Sequence, residues 1–419
     1  MTVRDSLAPL RSARFRWFFA GRTASLLGNA MVPVAIAFAV LDLTGEASDL
    51  GLVLAARSIP MVAFTLIGGV VADRMSRSQL MRLSHAGAAV TQGAVAVLLL
   101  SGNAELWMLV GLEFANGTLF AFAFPALQGA IPQVAERHQL QQANAMLAFS
   151  RNTAMVVGPS AAGLLVVTVG SAWAIAYDAL SFVVAAYCMS RLRLPALERA
   201  ERTSVVHDLR IGWSEFTSRT WLWVVVAAFG VLNLIHAGVW FTLGPAIAKE
   251  TIGEGQWGLV LSAEAVGFIV MSLILLRVSL RYPLRAGMLG MTSLGVPMAM
   301  LGLEPQVVAL VLTAFLAGAG TEVFGIGWQV ALQEHVPGEV LSRVASYDAL
   351  GSYVAVPVGQ ILAGPLAAIW GTREVVVAGA AVYIALGFAT LLSRSVRDLE
   401  RAMAGPDEVS PRPAVDATT

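Results

Sequence analysis

Twelve apolar runs, each long enough to cross a hydrocarbon core of ~30 Å as helix, follow one another along this chain. They cover 15–41, 50–72, 80–100, 106–127, 140–169, 173–192, 221–248, 256–276, 284–303, 305–330, 344–370 and 375–392. Inside lipid every backbone N–H and C=O must be satisfied within protein, which leaves the helix for runs of this kind. The predicted fold class is an all-α integral membrane protein with twelve transmembrane helices. Composition agrees: 57% of residues are hydrophobic and 13% charged, where a soluble domain is about a quarter charged. Lipid rather than water must cover most of the surface. The first run is too long and too closely followed by the second for a cleaved signal peptide. A single cysteine, Cys188, excludes an internal disulfide framework and a cysteine-rich metal site, and no cofactor or metal is expected.

Net charge is zero, yet the charges are unevenly placed. With an inside amino terminus, 22 of the 27 basic residues fall in the inner loops and termini and only Lys249 and Arg373 outside. That bias predicts a plasma (inner) membrane protein with both termini cytoplasmic. The predicted organisation is a cytoplasmic N-terminus (1–14), a six-helix bundle (15–192), a charged linker (193–219), a second six-helix bundle (220–394) and a polar tail (395–419), read as disordered.

The two bundles resemble each other. "ALQGAIPQVAERHQL" from Ala126 and "ALQEHVPGEVLSRV" from Ala331 each close an even-numbered span, turn at an apolar residue plus proline, and place an arginine before the next span (Arg137, Arg343). Gly158-Pro159 and Gly364-Pro365 recur in the fifth and eleventh spans. An offset of six spans keeps orientation, so the halves form a parallel repeat about an axis along the membrane normal, the plan of many secondary transporters. A channel needs no paired halves rocking about one site.

Ionisable residues within spans are costly and default to functional candidates. They are Arg22, Arg57, His85, Glu113, Arg151, Asp178, His236, Glu264, Glu322 and Asp348. Counted from the span ends, Arg22 and Asp348 lie near inner ends and Arg57 and Asp178 near outer ends. Glu113, Arg151, His236 and Glu264 sit deeper. Proton relays through membranes are built from such acids, so Glu113, Glu322 and Glu264 are the coupling candidates, in the order that the family resemblance given below implies. Trp240, Phe241, Phe120 and Trp328 are candidates for an apolar cavity wall. The only lysine sits in "GPAIAKETIG", outside any P-loop frame. No His-Glu-x-x-His and no Gly-x-Ser-x-Gly elbow occurs. A membrane-embedded enzyme and a non-transporting receptor are therefore disfavoured.

The loop after the second span reads Gly69-Val-Val-Ala-Asp73-Arg74-Met-Ser-Arg77. It resembles the signature of the major facilitator superfamily, with Ser76 and Ser78 departing from it. Gly158-Pro159 followed by Gly163 resembles the fifth-helix motif of that superfamily's proton-coupled exporters. "FPALQGAIPQVAERHQLQQANA" is similar to a bacterial subgroup that includes macrolide-efflux and enterobactin-exporter proteins. The resemblance implies that Gly69, Asp73, Arg74 and Arg77 latch the two halves at the cytoplasmic face. It also implies that the first, fourth, seventh and tenth helices line the cavity, which favours Arg22, Glu113, His236 and Glu322 and demotes Asp178 and His85. Many relatives carry an acid after the first-span glycine, where this chain has Gly28-Asn29. The implied function is alternating-access, proton-driven efflux of a small amphipathic compound such as a drug, siderophore or secondary metabolite. Proton-coupled uptake is the alternative. The expected partners are that compound, protons and the bilayer, with no nucleic acid, and the chain is expected to work as a monomer.

Overall fold

The computed structural model describes residues 8–136, 139–192, 194 and 213–401; the side chains of 65–74, 141, 338, 339, 342 and 343 lie outside that description. Twelve helices are long and apolar enough to cross a membrane, and no strand occurs among the described residues. The first half comprises α1 (Ala13–Thr44), α2 (Ala47–Arg74), α3 (Arg77–Ser101), α4 (Leu106–Val134), α5 (Leu140–Val169) and α6 (Ser171–Ser190). The second comprises α7 (Thr220–Glu250), α8 (Glu254–Leu275), α9 (Pro283–Leu303), α10 (Val307–His335), α11 (Gly338–Tyr353 continued by Val356–Trp370) and α12 (Thr372–Thr390). Within α7, residues His236–Leu243 form a π-helical turn.

Local chemistry sets several ends. Ser12 caps α1 by accepting the Phe15 N–H at 3.5 Å. Gly45 and Gly102 close α1 and α3 at φ 76° and 70°, the left-handed region that glycine enters without strain. Large apolar side chains such as Val90, Trp107, Leu276 and Ile369 stay exposed, as a lipid-facing surface requires.

The face at which the chain enters α1 and leaves α12 is called here the terminal face, and the opposite one the far face. At the far face the halves are sealed along two seams. In one, Gly51 of α2 lies against the Gln360 carbonyl of α11, and Gly364 lies against Ser48. In the other, Gly258 of α8 lies against the Pro159 carbonyl of α5, and Gly163 sits so that a Cβ would stand 3.2 Å from Gly255. The seams are one contact repeated: α2 and α8 positions are 207 apart (51 and 258, 48 and 255), α11 and α5 positions 201 apart (360 and 159, 364 and 163). This confirms two six-helix halves in a parallel repeat.

It also corrects the pairing drawn from sequence. Gly158 rests on Ala30 of α1 and Gly359 on Leu234 of α7, so Gly158 corresponds to Gly359 and Gly163 to Gly364. The two Gly-Pro dipeptides do not correspond. Close backbone approach needs the missing Cβ, and it is the glycines that the repeat keeps. Likewise Pro132 lies inside α4, which runs on to Val134, whereas Val336-Pro337 does end α10 and start α11.

Polar groups reinforce the seal. The Ser58 hydroxyl donates to Gln360 Oε1 at 2.6 Å. The Ser160 hydroxyl and backbone N–H both donate to Ser262 Oγ, at 2.7 and 3.1 Å, and Lys249 pairs with Asp42. Along the far half of α1, Met31, Val32 and the run from Val34 to Leu41 are buried, as expected where a helix is enclosed on nearly all sides. A separate apolar cluster built on Phe15, Phe18, Leu80, Met81 and Leu127 holds only first-half residues and lies toward the terminal face.

The start of the tail is ordered against the second half. Arg394–Arg397 form a short helix. Arg401 bonds Glu334 at 3.0 Å, and Glu400 accepts from the Tyr282 hydroxyl at 2.7 Å and from Arg281 at 3.1 Å. The Tyr282 hydrogen bond, with Arg281 beside it, holds the Glu400 carboxyl below the usual carboxylate range. Residues 402–419 and most of the linker lie outside the described residues. The linker's described end places Trp213 and Phe216 on the ring of Tyr347.

Candidate functional site

Cavities open in the terminal-face portion of each half. The first-half cavity has a volume of about 330 Å³ and is lined by Arg22, Asn29, Arg57, His85, Phe120 and Arg151, among others. A smaller one of about 280 Å³ continues toward the terminal face and shares Arg22 and Arg151. The second-half cavity, about 850 Å³, is lined by His236, Glu264, Glu322, Trp328 and Asp348, with Phe229, Phe324 and Tyr353.

The first-half wall is cationic. Arg57 of α2 donates to Asn29 Oδ1 at 3.0 Å and lies 3.6 Å from Glu113 of α4. Glu113 is buried and also accepts from Gln92 Nε2 at 3.0 Å. Asn29, which follows Gly28 in the first span, thus receives a guanidinium. A second buried acid close by is Asp178 of α6: a Cβ on Gly28 would collide with its carboxylate, and Arg57 and Glu113 are close enough to act on it electrostatically.

The second-half wall is acidic and aromatic. Glu264 of α8 is buried and accepts the Trp240 indole N–H at 3.1 Å. Asp348 accepts the Trp328 indole N–H at 2.8 Å and the Ser352 hydroxyl at 3.2 Å. Glu322 stands beside Thr321 and Gly325 in this wall, and Arg151 of the first half lies within electrostatic range of it. Phe229 stacks on Phe324 with ring centroids 4.2 Å apart, and Phe324 continues onto Trp328.

Of the sequence-derived candidates, Arg22, Arg151, His236, Glu264 and Glu322 face cavities. Glu113 does not: it stands behind Arg57, which does. Trp328 and Phe120 form cavity wall, whereas Trp240 is fully buried between Glu264 and the Trp257 ring. His85 lines the first-half cavity although its helix was expected to lie outside. Asp348 and Arg22, read as near the inner ends, point inward to the cavities. Depth along a helix gives no rotation about it, and the helix's neighbours supply that. The π-helical turn beside His236 carries no signal that apolar periodicity reports.

For the loop motif, Asp73 and Arg74 close α2 in helical backbone, downstream of Gly69, and their side chains lie outside the described residues. Arg77 is engaged within its own half: its guanidinium donates to the Gly129 carbonyl of α4, and a Cβ on Gly129 would stand 2.5 Å from its central carbon. In α5, Gly158, Pro159 and Gly163 are packing positions, the last two in the seam with α8.

Two six-helix halves in parallel repeat, joined along α2–α11 and α5–α8 around charged intramembrane cavities, define a multi-pass membrane transporter of the major facilitator type. The chain belongs to the transmembrane secretion effector family of that superfamily, whose model matches residues 4–418. It is 28% identical to the multidrug efflux pump Tap of Mycolicibacterium fortuitum over 399 residues, spanning 92% of this chain and 96% of that protein. It is 23% identical to macrolide efflux protein A of Streptococcus pyogenes over 400 residues, 92% of this chain and 97% of that one. Among solved structures it resembles the nucleoside transporter NupG, with a TM-score of 0.68 at 15% identity over 90% of this chain and 98% of that one. It also resembles a bacterial homologue of the iron transporter ferroportin, with a TM-score of 0.64 at 16% identity over 93% of this chain and 99% of that one. At such identities the solved structures speak to fold alone.

Proposed function

We propose that this chain exports a small amphipathic compound from the cytoplasm across the plasma membrane by alternating access, in exchange for protons. The observation that carries the reading is the far-face seal combined with cavities in the terminal-face portions of both halves. The arginine bias puts the terminal face in the cytoplasm, so the conformer is open inward and ready to load. The multidrug and macrolide pumps among its relatives support export of an amphipathic compound. Glu322 and Glu264 face the cavity and are the acids to exchange protons there, with Glu113 coupled through Arg57. The Asp73 and Arg74 end of α2 and the Arg77 loop engage the second half when the terminal face closes. Pro159 and Gly163 let α5 slide on α8 as the seam opens, and Gly158 does the same for α5 against α1.

Inverted membrane vesicles with an imposed acid interior test this. An exported dye should accumulate inside, release protons outward as it does so, and leak when an uncoupler is added. Accumulation driven by the opposite gradient would establish proton-coupled uptake instead. Dye movement unaffected by any gradient would remove the proton from the mechanism.

A further inference from the structure

Three guanidinium groups border the first-half cavity, and among the described residues only one is answered by an ion pair. Arg57 has Glu113 and Asn29. Arg22 and Arg151 line both first-half cavities, and among the described residues neither makes an ion pair or a side-chain hydrogen bond. They are close enough to act on each other as like charges. The carboxylates nearby do not pair with them: Asp178 makes no ion pair among the described residues and is buried beside Gly28 and Ser181, and Glu322 belongs to the facing half, within electrostatic range of Arg151.

Two adjacent unpaired guanidiniums inside a membrane protein are expensive, so their persistence at an open cavity calls for a counter-ion from outside the chain. Guanidinium is the side chain whose planar fork fits carboxylate, phosphate or sulfonate oxygens two at a time. Neutral polar groups stand ready beside the pair, with Asn29 on one side and Gln128 and Asn144 on the other. Apolar surface adjoins them in Phe120 and Met155.

We propose that Arg22 and Arg151 bind an anionic group of the transported compound, whose apolar body lies along Phe120 and reaches the Phe229–Phe324–Trp328 stack of the facing half. The inference rests on the transporter reading and specifies its substrate: an amphipathic organic anion or zwitterion rather than a simple lipophilic cation. On this arrangement the substrate anion takes the place of Glu322 in the field of Arg151.

The test uses the full-length chain purified in a neutral detergent, with two dyes on a common ring system. Fluorescein carries the anion, and tetramethylrhodamine methyl ester is a cation without a free carboxylate. Anisotropy titrations should show saturable fluorescein binding, weakened about tenfold or more by Arg22→Gln or Arg151→Gln, the scale of a lost charge-assisted hydrogen bond. Arg151→Lys should recover most of it, and cation binding should not weaken. Equal fluorescein affinity in the wild type and both glutamine variants would overturn the site. If a variant loses both dyes together, Arg151→Lys decides: recovery of fluorescein upholds the site and its failure removes it. Competition by dihexanoyl phosphatidylglycerol assigns the anion to a lipid headgroup, and lack of competition assigns it to a soluble compound; the guanidinium pair is the ligand-binding group in both. Gradient-driven flux in inverted vesicles stands apart. Flux with arginine-independent dye binding ends this site and leaves the transporter, whereas arginine-dependent binding without gradient-driven flux does the reverse for the proton.

Discussion

Arg57 of α2 and Glu264 of α8 occupy equivalent positions in the two halves. Each lies where its backbone carbonyl presses on a glycine of the facing helix, Gly117 of α4 and Gly318 of α10. The repeat has kept the backbone contact and reversed the charge on the side chain above it. Arg57 contributes to a cationic cavity wall, and Glu264 to an acidic one. On the proposed transport reading, a chamber shared by two such walls favours a compound with different chemistry at its two ends.

The glycine contacts set a steric limit. Any Cβ at Gly318 would overlap the Glu264 carbonyl, so Gly318→Val must push α8 and α10 apart. Overpacking of this kind costs about 1–3 kcal/mol. A lowered thermal midpoint of the purified protein is expected, with a similar drop for Gly117→Val at the equivalent contact. An unchanged midpoint would show that the helices stand further apart than described.

The Arg57–Glu113 pair should behave as a unit. Glu113→Gln leaves Arg57 with Asn29 alone. Loss of one partner of a fully buried pair costs about 3–5 kcal/mol, and the opening of Arg57 to the cavity reduces this to about 2 kcal/mol. Adding Arg57→Gln should recover part of the loss, which a double-mutant cycle of thermal unfolding measures. Strict additivity would mean that the two groups are not coupled.

The far-face seal should set the balance between conformers. Ser58→Ala removes the hydroxyl that donates to Gln360, weakening the sealed state by about 1 kcal/mol. That is roughly a fivefold shift toward the conformer open at the far face. Solvent accessibility of a cysteine placed at Ser48 reports it and should rise. Constant accessibility would remove Ser58 from the seal.

Asp42 and Lys249 pair across the far-face entrance, and their cysteine replacements should cross-link. With the buried Cys188 changed to alanine to silence the background, oxidation should stop flux and reduction should restore it. Undiminished flux through the cross-linked protein would end the alternating-access mechanism.

Neutralising Glu322 or Glu264 in the second-half cavity should separate flux from binding. Glu322→Gln removes the carboxylate that Arg151 faces, and Glu264→Gln leaves an acceptor for the Trp240 indole. Loss of gradient-driven flux with dye binding retained is expected for Glu322→Gln and for Glu264→Gln. Full proton-driven flux in both variants would move coupling to the Arg57–Glu113–Asp178 group.

What the sequence determined by itself was the solvent. Runs of apolar residues carry their hydropathy in the sequence itself, so membrane embedding and twelve helices were legible from them, while the charged linker and repeated segments pointed to two halves and the loop motif resembled that of the superfamily. Residue order also showed which ionisable groups lie inside the membrane. The tertiary structure decided which way each one points. Helices apolar on nearly every side carry no polar stripe from which to read a face. Only packing turns Asp348 and His85 toward cavities, sets Glu113 behind Arg57, and leaves Arg22 beside Arg151 without a counter-ion. Packing likewise decided which glycines correspond between halves and which face is sealed, because a backbone contact is a relation between two helices and no single segment contains it.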